Sequence, residues 1–348
     1  VQPQSAIATT SVATSTTATA ATTTPRETPV KKAVAKPQTS QTVVVESQNV
    51  PASNQAVRIE SPYSFPTKSS DELNLETRAA IVNIFCETTG GQLSSISGSG
   101  IIIDPRGVVL TNAHVAQYVL LASQPGVGLN CFIRTGSPAQ ARWKADMLYM
   151  PASWVREHAA DITKSRPKGT GENDYALLLI SKSLDGSPLP VFPAISIDTR
   201  EAIAFTGDSV FLAGYPAEFA GGGSTRSGLY PSSVFSRVGD LLTFTESKVD
   251  LISVGSVVLA QSGSSGGAVV NAWGYLVGVI STTSEGATTG DRELRAITLS
   301  YINRDLREET GESLLNMLSG DTLSQTAAFM SEDAPGLAKQ IIAALENR

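Results

Sequence analysis

Two histidines, His114 and His158, stand among 348 residues, and both precede the segment Gly263-Ser264-Ser265-Gly266-Gly267. A serine hydroxyl is a poor nucleophile near neutral pH and needs a base within hydrogen-bond reach, a task for which imidazole titrates in the right range. The segment satisfies the G-x-S-x-G pattern of a nucleophile elbow, whose triad runs Ser, acid, His along the chain. With both histidines ahead of Ser265, that order is excluded, and the alternating strand and helix units that such a fold needs are missing. An order Asp, His, Ser would pair Asp104 with His114, but the glycine-rich contexts of subtilisin-like enzymes are absent. The order His, acid, Ser remains.

Three contexts fit it: Leu110-Thr111-Asn112-Ala113-His114-Val115, then Asn173-Asp174-Tyr175-Ala176-Leu177-Leu178, then Gln261-Ser262-Gly263-Ser264-Ser265-Gly266-Gly267-Ala268. Together and in this order they resemble the trypsin/chymotrypsin-like serine protease family, closest to its bacterial HtrA-like branch, over about residues 78–300. The resemblance implies a serine endopeptidase with His114 as base, Asp174 as the group that orients and stabilises it, and Ser265 as nucleophile. It implies an oxyanion hole from the N–H groups of Gly263 and Ser265; a glycine lacks the Cβ that would hinder the turn from aiming its donor inward. Ser264 departs from the Asp or Asn that many relatives carry there. Ser281, in Gly278-Val279-Ile280-Ser281, aligns with the serine that supports the buried acid and lines the cleft; an ordinary strand serine is the competing reading.

The base of the family's specificity pocket lies six residues before the nucleophile, at Leu259, with Val257, Val258 and Ala260 beside it. An uncharged base disfavours Lys or Arg at the cleavage position and favours small or medium apolar residues. The loop Thr282–Glu293 is expected to form much of the wall. No cofactor and no metal is implied. No Ile-Val-Gly-Gly start precedes the first strand, so activation by a freed N-terminus is not expected, and the 48 residues after Ser300 are short and helical for the PDZ module that HtrA-like members often carry. Cys86 and Cys131 fall on strands that are neighbours in the family topology, which leaves a disulfide and two buried thiols as alternatives. His158 has no comparable context and reads as packing or solvent.

The elements that must position these residues are strands. From Arg78, short apolar runs separated by Gly, Pro, Asp and Asn predict Ala80–Glu87, Ser95–Asp104, Val108–Leu110, Asn130–Thr135, Arg142–Met150 and Tyr175–Ile180. After the Pro-rich stretch Pro188–Pro193 come Ser209–Gly214, Ser233–Arg237, Leu241–Glu246, Asp250–Val254, Ala268–Asn271, Tyr275–Ser281 and Leu294–Leu299. The expected fold class is all-β: two six-stranded antiparallel Greek-key barrels of the chymotrypsin type. Helical periodicity appears in an insertion at 152–164 and at 335–347, where Leu337, Ile341, Ile342 and Leu345 form an apolar stripe. That last helix reads as a brace on the second barrel or as an oligomer contact. The expected domains are a stalk over 1–77, barrels over 78–187 and 188–300, and a helical extension over 301–348.

Residues 1–62 hold no aromatic side chain and the first 50 include 17 Ser or Thr, too little apolar surface to offset the entropy of ordering; a disordered stalk is expected. Net charge −6 gives no field for phosphates and argues against nucleic acid as a partner. Four Cys and His residues in all, at no zinc spacing, exclude a structural zinc site. No apolar run is long enough to span a membrane. A start at Val1 leaves open a removed signal peptide or a membrane tether upstream, and with the stalk it favours an extracytoplasmic setting and polypeptide substrates. The oligomeric state is not legible. Two rival functions survive: a protease-fold module that holds peptides without turning them over and, more weakly, an esterase or acyltransferase using the same triad.

Overall fold

The computed structural model describes residues 50–51, 59–90, 93–164, 169–201, 203–217, 227–244, 248–283 and 293–347. Most of the stalk expected over 1–77, most of the wall loop Thr282–Glu293 and residues 165–168 of the insertion lie outside these.

Six strands close into an antiparallel barrel: β2 (Ile81–Thr88), β3 (Ile96–Asp104), β4 (Val108–Thr111), β5 (Leu129–Thr135), β6 (Gln140–Tyr149) and β7 (Ala176–Ser183), in the order β2-β3-β4-β7-β6-β5. Central strands such as Val108–Thr111 and Ala176–Ile180 are nearly continuous apolar runs, buried at every position and so on both faces. The second sheet contains β8 (Ser209–Gly214), β9 (Ser232–Arg237), β10 (Leu241–Thr243), β11 (Leu251–Ser253), β12 (Ala268–Asn271), β13 (Leu276–Thr283) and β14 (Leu294–Thr298). With the two-residue β1 (Val50–Pro51) pairing on β10, its order is β1-β10-β11-β14-β13-β12-β8-β9. Each strand read from the sequence has its counterpart among β2–β14. The expected second β unit is this second sheet, which among the described residues runs to eight strands, extended at one edge by β1, a strand with no apolar alternation to announce it.

Helix α1 (Ser70–Ala80) begins inside the span read as stalk, and its residues 70–77 are ordered as helix where a stalk was expected. Its N-terminus is a capping box: the Ser69 hydroxyl accepts from Glu72 N–H while the Glu72 carboxylate accepts from Ser69 N–H at 2.8 Å. Ahead of it, Tyr63 stacks on Tyr275 with centroids 4.5 Å apart and Trp273 Nε1–H donates to Phe65 O at 3.0 Å, tying this segment to the β12–β13 hairpin.

Helix α2 (Ala113–Ala122) follows β4 directly, and helix α3 (Ala152–His158) with a 3₁₀ turn (Ala159–Thr163) forms the insertion. The chain ends in α4 (Leu299–Thr310), α5 (Leu314–Ser319), α6 (Thr322–Glu332) and α7 (Ala334–Glu346). The brace reading of the last helix is corrected in its target. α6 packs on β6, and α7 packs on α2, α3 and the 3₁₀ turn, so the terminal helices return to the first barrel. Burial of Leu337, Ile341 and Leu345 drives this, and Arg106, beside Asp104, donates to Gly320 O at 2.7 Å and to Leu318 O. Asp104 serves this arginine, not a catalytic histidine.

Cys86 and Cys131 stand opposite each other on β2 and β5 and are bonded. The bond closes a loop across a sequence separation of 45, for which chain entropy alone predicts about 4 kcal/mol of stabilisation. Cys86→Ala/Cys131→Ala is expected to lower the urea midpoint correspondingly. A loss below about 1 kcal/mol would mean that the open and closed unfolded chains are equally restricted.

Candidate active site

Sequence places His114 at the second position of α2, and the helix entry shapes everything around it. Asn112 is the N-cap residue, yet its side chain makes no capping bond; its Nδ2–H instead donates to Asp174 O at 2.8 Å. The cap is supplied from outside. Asp174 Oδ1 accepts from the His114 backbone N–H at 2.9 Å, and Oδ2 pairs with His114 Nδ1 at 2.8 Å. A carboxylate at a helix N-terminus is favoured by the unsatisfied N–H groups and the positive end of the dipole. Ser281 Oγ–H donates to the same Oδ2 at 2.7 Å. Asp174 thus accepts three hydrogen bonds in a buried position, 6% exposed.

These contacts decide the charges. Burial pushes the Asp174 carboxyl up, but His114 and the hydrogen bonds hold it below the usual carboxylate range, so it remains ionised at neutral pH. Burial pulls the His114 imidazole down, and the Asp174 charge and hydrogen bond more than offset this, leaving it above its ordinary value. The His114 side chain keeps 34% of its surface exposed, so the far edge of the ring is open to a reactant.

Ser265 comes from the other sheet, on the turn before β12. Gly263 and Gly266 hold φ of +94° and +85°, in the left-handed region that glycine alone enters without strain. A Cβ on Gly266 would stand 1.9 Å from Ser99 O and 2.4 Å from Thr111 Oγ1, so the turn is pressed onto the first barrel. Ser99 of β3 fastens it there. Its N–H donates to Ser265 O at 2.7 Å, its Oγ–H donates to Gly263 O at 2.7 Å, and the hydroxyl accepts from Tyr215 N–H at 2.8 Å. Thr111 Oγ1–H in turn donates to Ser99 O at 2.7 Å. Among the described residues neither the N–H of Gly263 nor that of Ser265 donates a hydrogen bond. The Ser265 hydroxyl donates to Ser281 O at 3.4 Å, a long bond that is easily exchanged for another acceptor. Ser264 is buried, and its hydroxyl has no hydrogen-bond partner among the described residues.

The structure therefore brings His114, Asp174, Ser265, Gly263 and Ser281 to one place between the barrel and the second sheet. Leu259 is fully buried in the core of the second sheet, within the same cluster as Leu212, Val269 and Ile280. His158 is elsewhere: it pairs with Asp161 Oδ2 at 2.9 Å and stacks on Trp154. Sequence reasoning missed Ser99 and Asn112. Both lie inside motifs that were visible, the Ser-Gly-Ser-Gly run of β3 and the Thr-Asn-Ala-His entry to α2, but only the cross-sheet contact shows their use. Among the described residues no group of three His, Cys, Asp or Glu could hold a metal ion, and no helix is long and apolar enough to cross a membrane.

A family model described as the trypsin-like peptidase domain matches residues 98–279, just over half of the chain. No curated protein matches the chain. Solved structures similar to it include the serine endoprotease from Yersinia pestis, at 18% identity and TM-score 0.43, covering 71% of this chain and 70% of that one. The HtrA-type protease AlgW with a tripeptide is similar at 20% identity and TM-score 0.43, covering 70% of this chain and 65% of that one.

Proposed function

The chain belongs to the trypsin-like peptidase family, a family of serine-type endopeptidases, and from that premise we propose that His114, Asp174 and Ser265 are its triad, hydrolysing peptide bonds through an acyl-enzyme. The observation that carries this reading is the Asp174 carboxylate, held at once by the His114 ring, the His114 backbone and Ser281. Its charge fixes the imidazole with the proton on Nδ1 and leaves Nε2 free to accept the Ser265 proton. Ser265 Oγ then attacks the scissile carbonyl, and the oxyanion takes the N–H groups of Gly263 and Ser265. His114 passes its proton to the leaving amine, and a water activated by the same imidazole releases the acyl group.

Cleavage after small or medium apolar residues is supported by the lack of a charge at the expected pocket base rather than by a contact with Leu259, which is buried in the core: a charged substrate residue would lose hydration there without a counter-ion. The disulfide supports an extracytoplasmic setting, since reducing compartments keep such thiols open. A second reading, a peptide-binding module that does not turn substrate over, is favoured by one contact: the Ser265 hydroxyl lies on Ser281 O, and no hydrogen bond to His114 is recorded.

Labelling of the folded chain with a fluorophosphonate separates the two. Covalent labelling that disappears in Ser265→Ala and in His114→Ala is expected; a folded wild-type chain that stays unlabelled would leave the binding module standing. The rate of labelling is expected to fall as pH drops through the His114 pKa, because only the neutral imidazole can accept the serine proton. With that pKa raised by Asp174, the acid limb lies above the ordinary histidine value. A midpoint well below that value would show that Asp174 is not charged beside His114.

A further inference from the structure

We propose that helix α4 is a positioning element for Asp174, with Tyr301 and Asp305 clamping the residues on either side of it. The proposal rests on the triad reading above. Asn173 and Tyr175 flank Asp174 in the chain, and each is held by α4 from one helical turn to the next. The Tyr301 hydroxyl accepts from Asn173 N–H at 3.0 Å and donates to Asn173 Oδ1 at 2.8 Å. One phenol thus grips both the backbone and the side chain of a single residue. Four positions on, the Asp305 carboxylate accepts from the Tyr175 hydroxyl at 2.8 Å. Positions four apart lie on one face of a helix, so the two grips form a single unit.

The grip matters because of the backbone it holds. Asn173 has φ of 55°, in the left-handed region that strains an L-residue and that Asn tolerates through local hydrogen bonds. Relaxing that turn would rotate the following residue, and Asp174 must meet His114 Nδ1, His114 N–H and Ser281 Oγ together. The grips lie largely out of water: Tyr301 and Tyr175 are buried and Asp305 is half-buried. Burial lifts the Asp305 carboxyl to about 6, so at neutral pH it remains an ionised acceptor for Tyr175.

The helix is itself pinned to the second sheet. Arg304 pairs with Asp250 and Glu201, and the Thr298 hydroxyl at the N-cap accepts from Tyr301 N–H at 3.2 Å. Helix α4 therefore starts from the sheet that carries Ser265 and holds the loop that carries Asp174. Tyr301 and Asp305 touch no reacting atom; they act through Asp174.

The test is the rate of inactivation by a fluorophosphonate, resolved into its maximal rate and its half-saturating concentration, for the full chain and for Tyr301→Phe. The aromatic ring stays and only the hydroxyl is lost. Misplacing a catalytic group by a fraction of an ångström is expected to cut the maximal rate about 10-fold with the half-saturating concentration unchanged. Asn303→Ala is the control: it lies on the same helix, and its Oδ1 accepts from Leu314 N–H, away from Asp174. It is expected to keep the wild-type rate. If Tyr301→Phe does not fold, judged by its urea transition, Tyr175→Phe carries the same test, since it keeps the ring and removes the hydroxyl that Asp305 holds. A maximal rate for the folded variant within about twofold of wild type overturns the clamp, as does an equal fall in Asn303→Ala. Labelling that persists in Ser265→Ala, or none in wild type, overturns the triad reading instead.

Discussion

Ser265→Ala is expected to lower kcat by about 10⁵-fold or more on any peptide that the wild-type chain cleaves, with KM changed little, because in the proposed triad removing the nucleophile disables all three residues as a unit. The variant should fold. The turn around Ser265 is held by its backbone, through Ser99 N–H to Ser265 O and Ser99 Oγ–H to Gly263 O, and neither bond uses the Ser265 side chain. The hydroxyl's recorded bond is the long one to Ser281 O. An unchanged unfolding transition with lost turnover is therefore the signature, measured by peptide hydrolysis beside a thermal scan. Retained turnover within about tenfold of wild type would place the nucleophile elsewhere.

Asp174→Asn is expected to lower kcat by about 10⁴-fold at neutral pH, and the hydrogen bonds explain why so conservative a change should be so costly. Oδ1 accepts from the His114 backbone N–H, which cannot turn round. An asparagine must therefore keep its oxygen there and put its NH₂ where Oδ2 stands. That NH₂ would face His114 Nδ1 as a donor and force the ring proton to Nε2, the atom that has to accept from Ser265. Ser281 Oγ can adapt, since a hydroxyl both donates and accepts. The expected outcome is a folded, nearly inactive protein whose residual activity rises with pH, as hydroxide replaces the lost base. Activity within about tenfold of wild type at pH 7 would mean that the tautomer is set by something other than Asp174.

Helix and strand were legible to different degrees, and particular residues show why. β4 and β7 are short runs of branched apolar residues bounded by Gly and Asp, a signal that survives because burial on both faces demands it. Helix α2 carries the same kind of apolar run, Val115 to Ala122, and its burial on nearly every face erased the 3.6 period that would have marked it. Helix α1 had a readable start in Ser69 and Glu72, but the composition ahead of it pointed to a stalk. For α7 the apolar stripe was visible and its partner was not: a stripe states that a face is covered, and only the packing on α2 and the insertion says by what.

For the site, the sequence by itself determined which residue types could do chemistry and in what order: a histidine, an acid and a serine in three specific contexts, with glycines where the nucleophile turn must enter the left-handed region. Their order along the chain excluded the competing triads without any coordinates. Only the tertiary structure decided the rest. The bond from Ser281 to Asp174, the staple from Ser99 to the nucleophile turn and the grip of Tyr301 on Asn173 join residues 107, 164 and 128 positions apart. Long-range side-chain hydrogen bonds of this kind have no period along the chain. They depend on two side chains meeting within about 3 Å, and that distance is set by the closure of the barrel and the return of the C-terminal helices rather than by any local pattern.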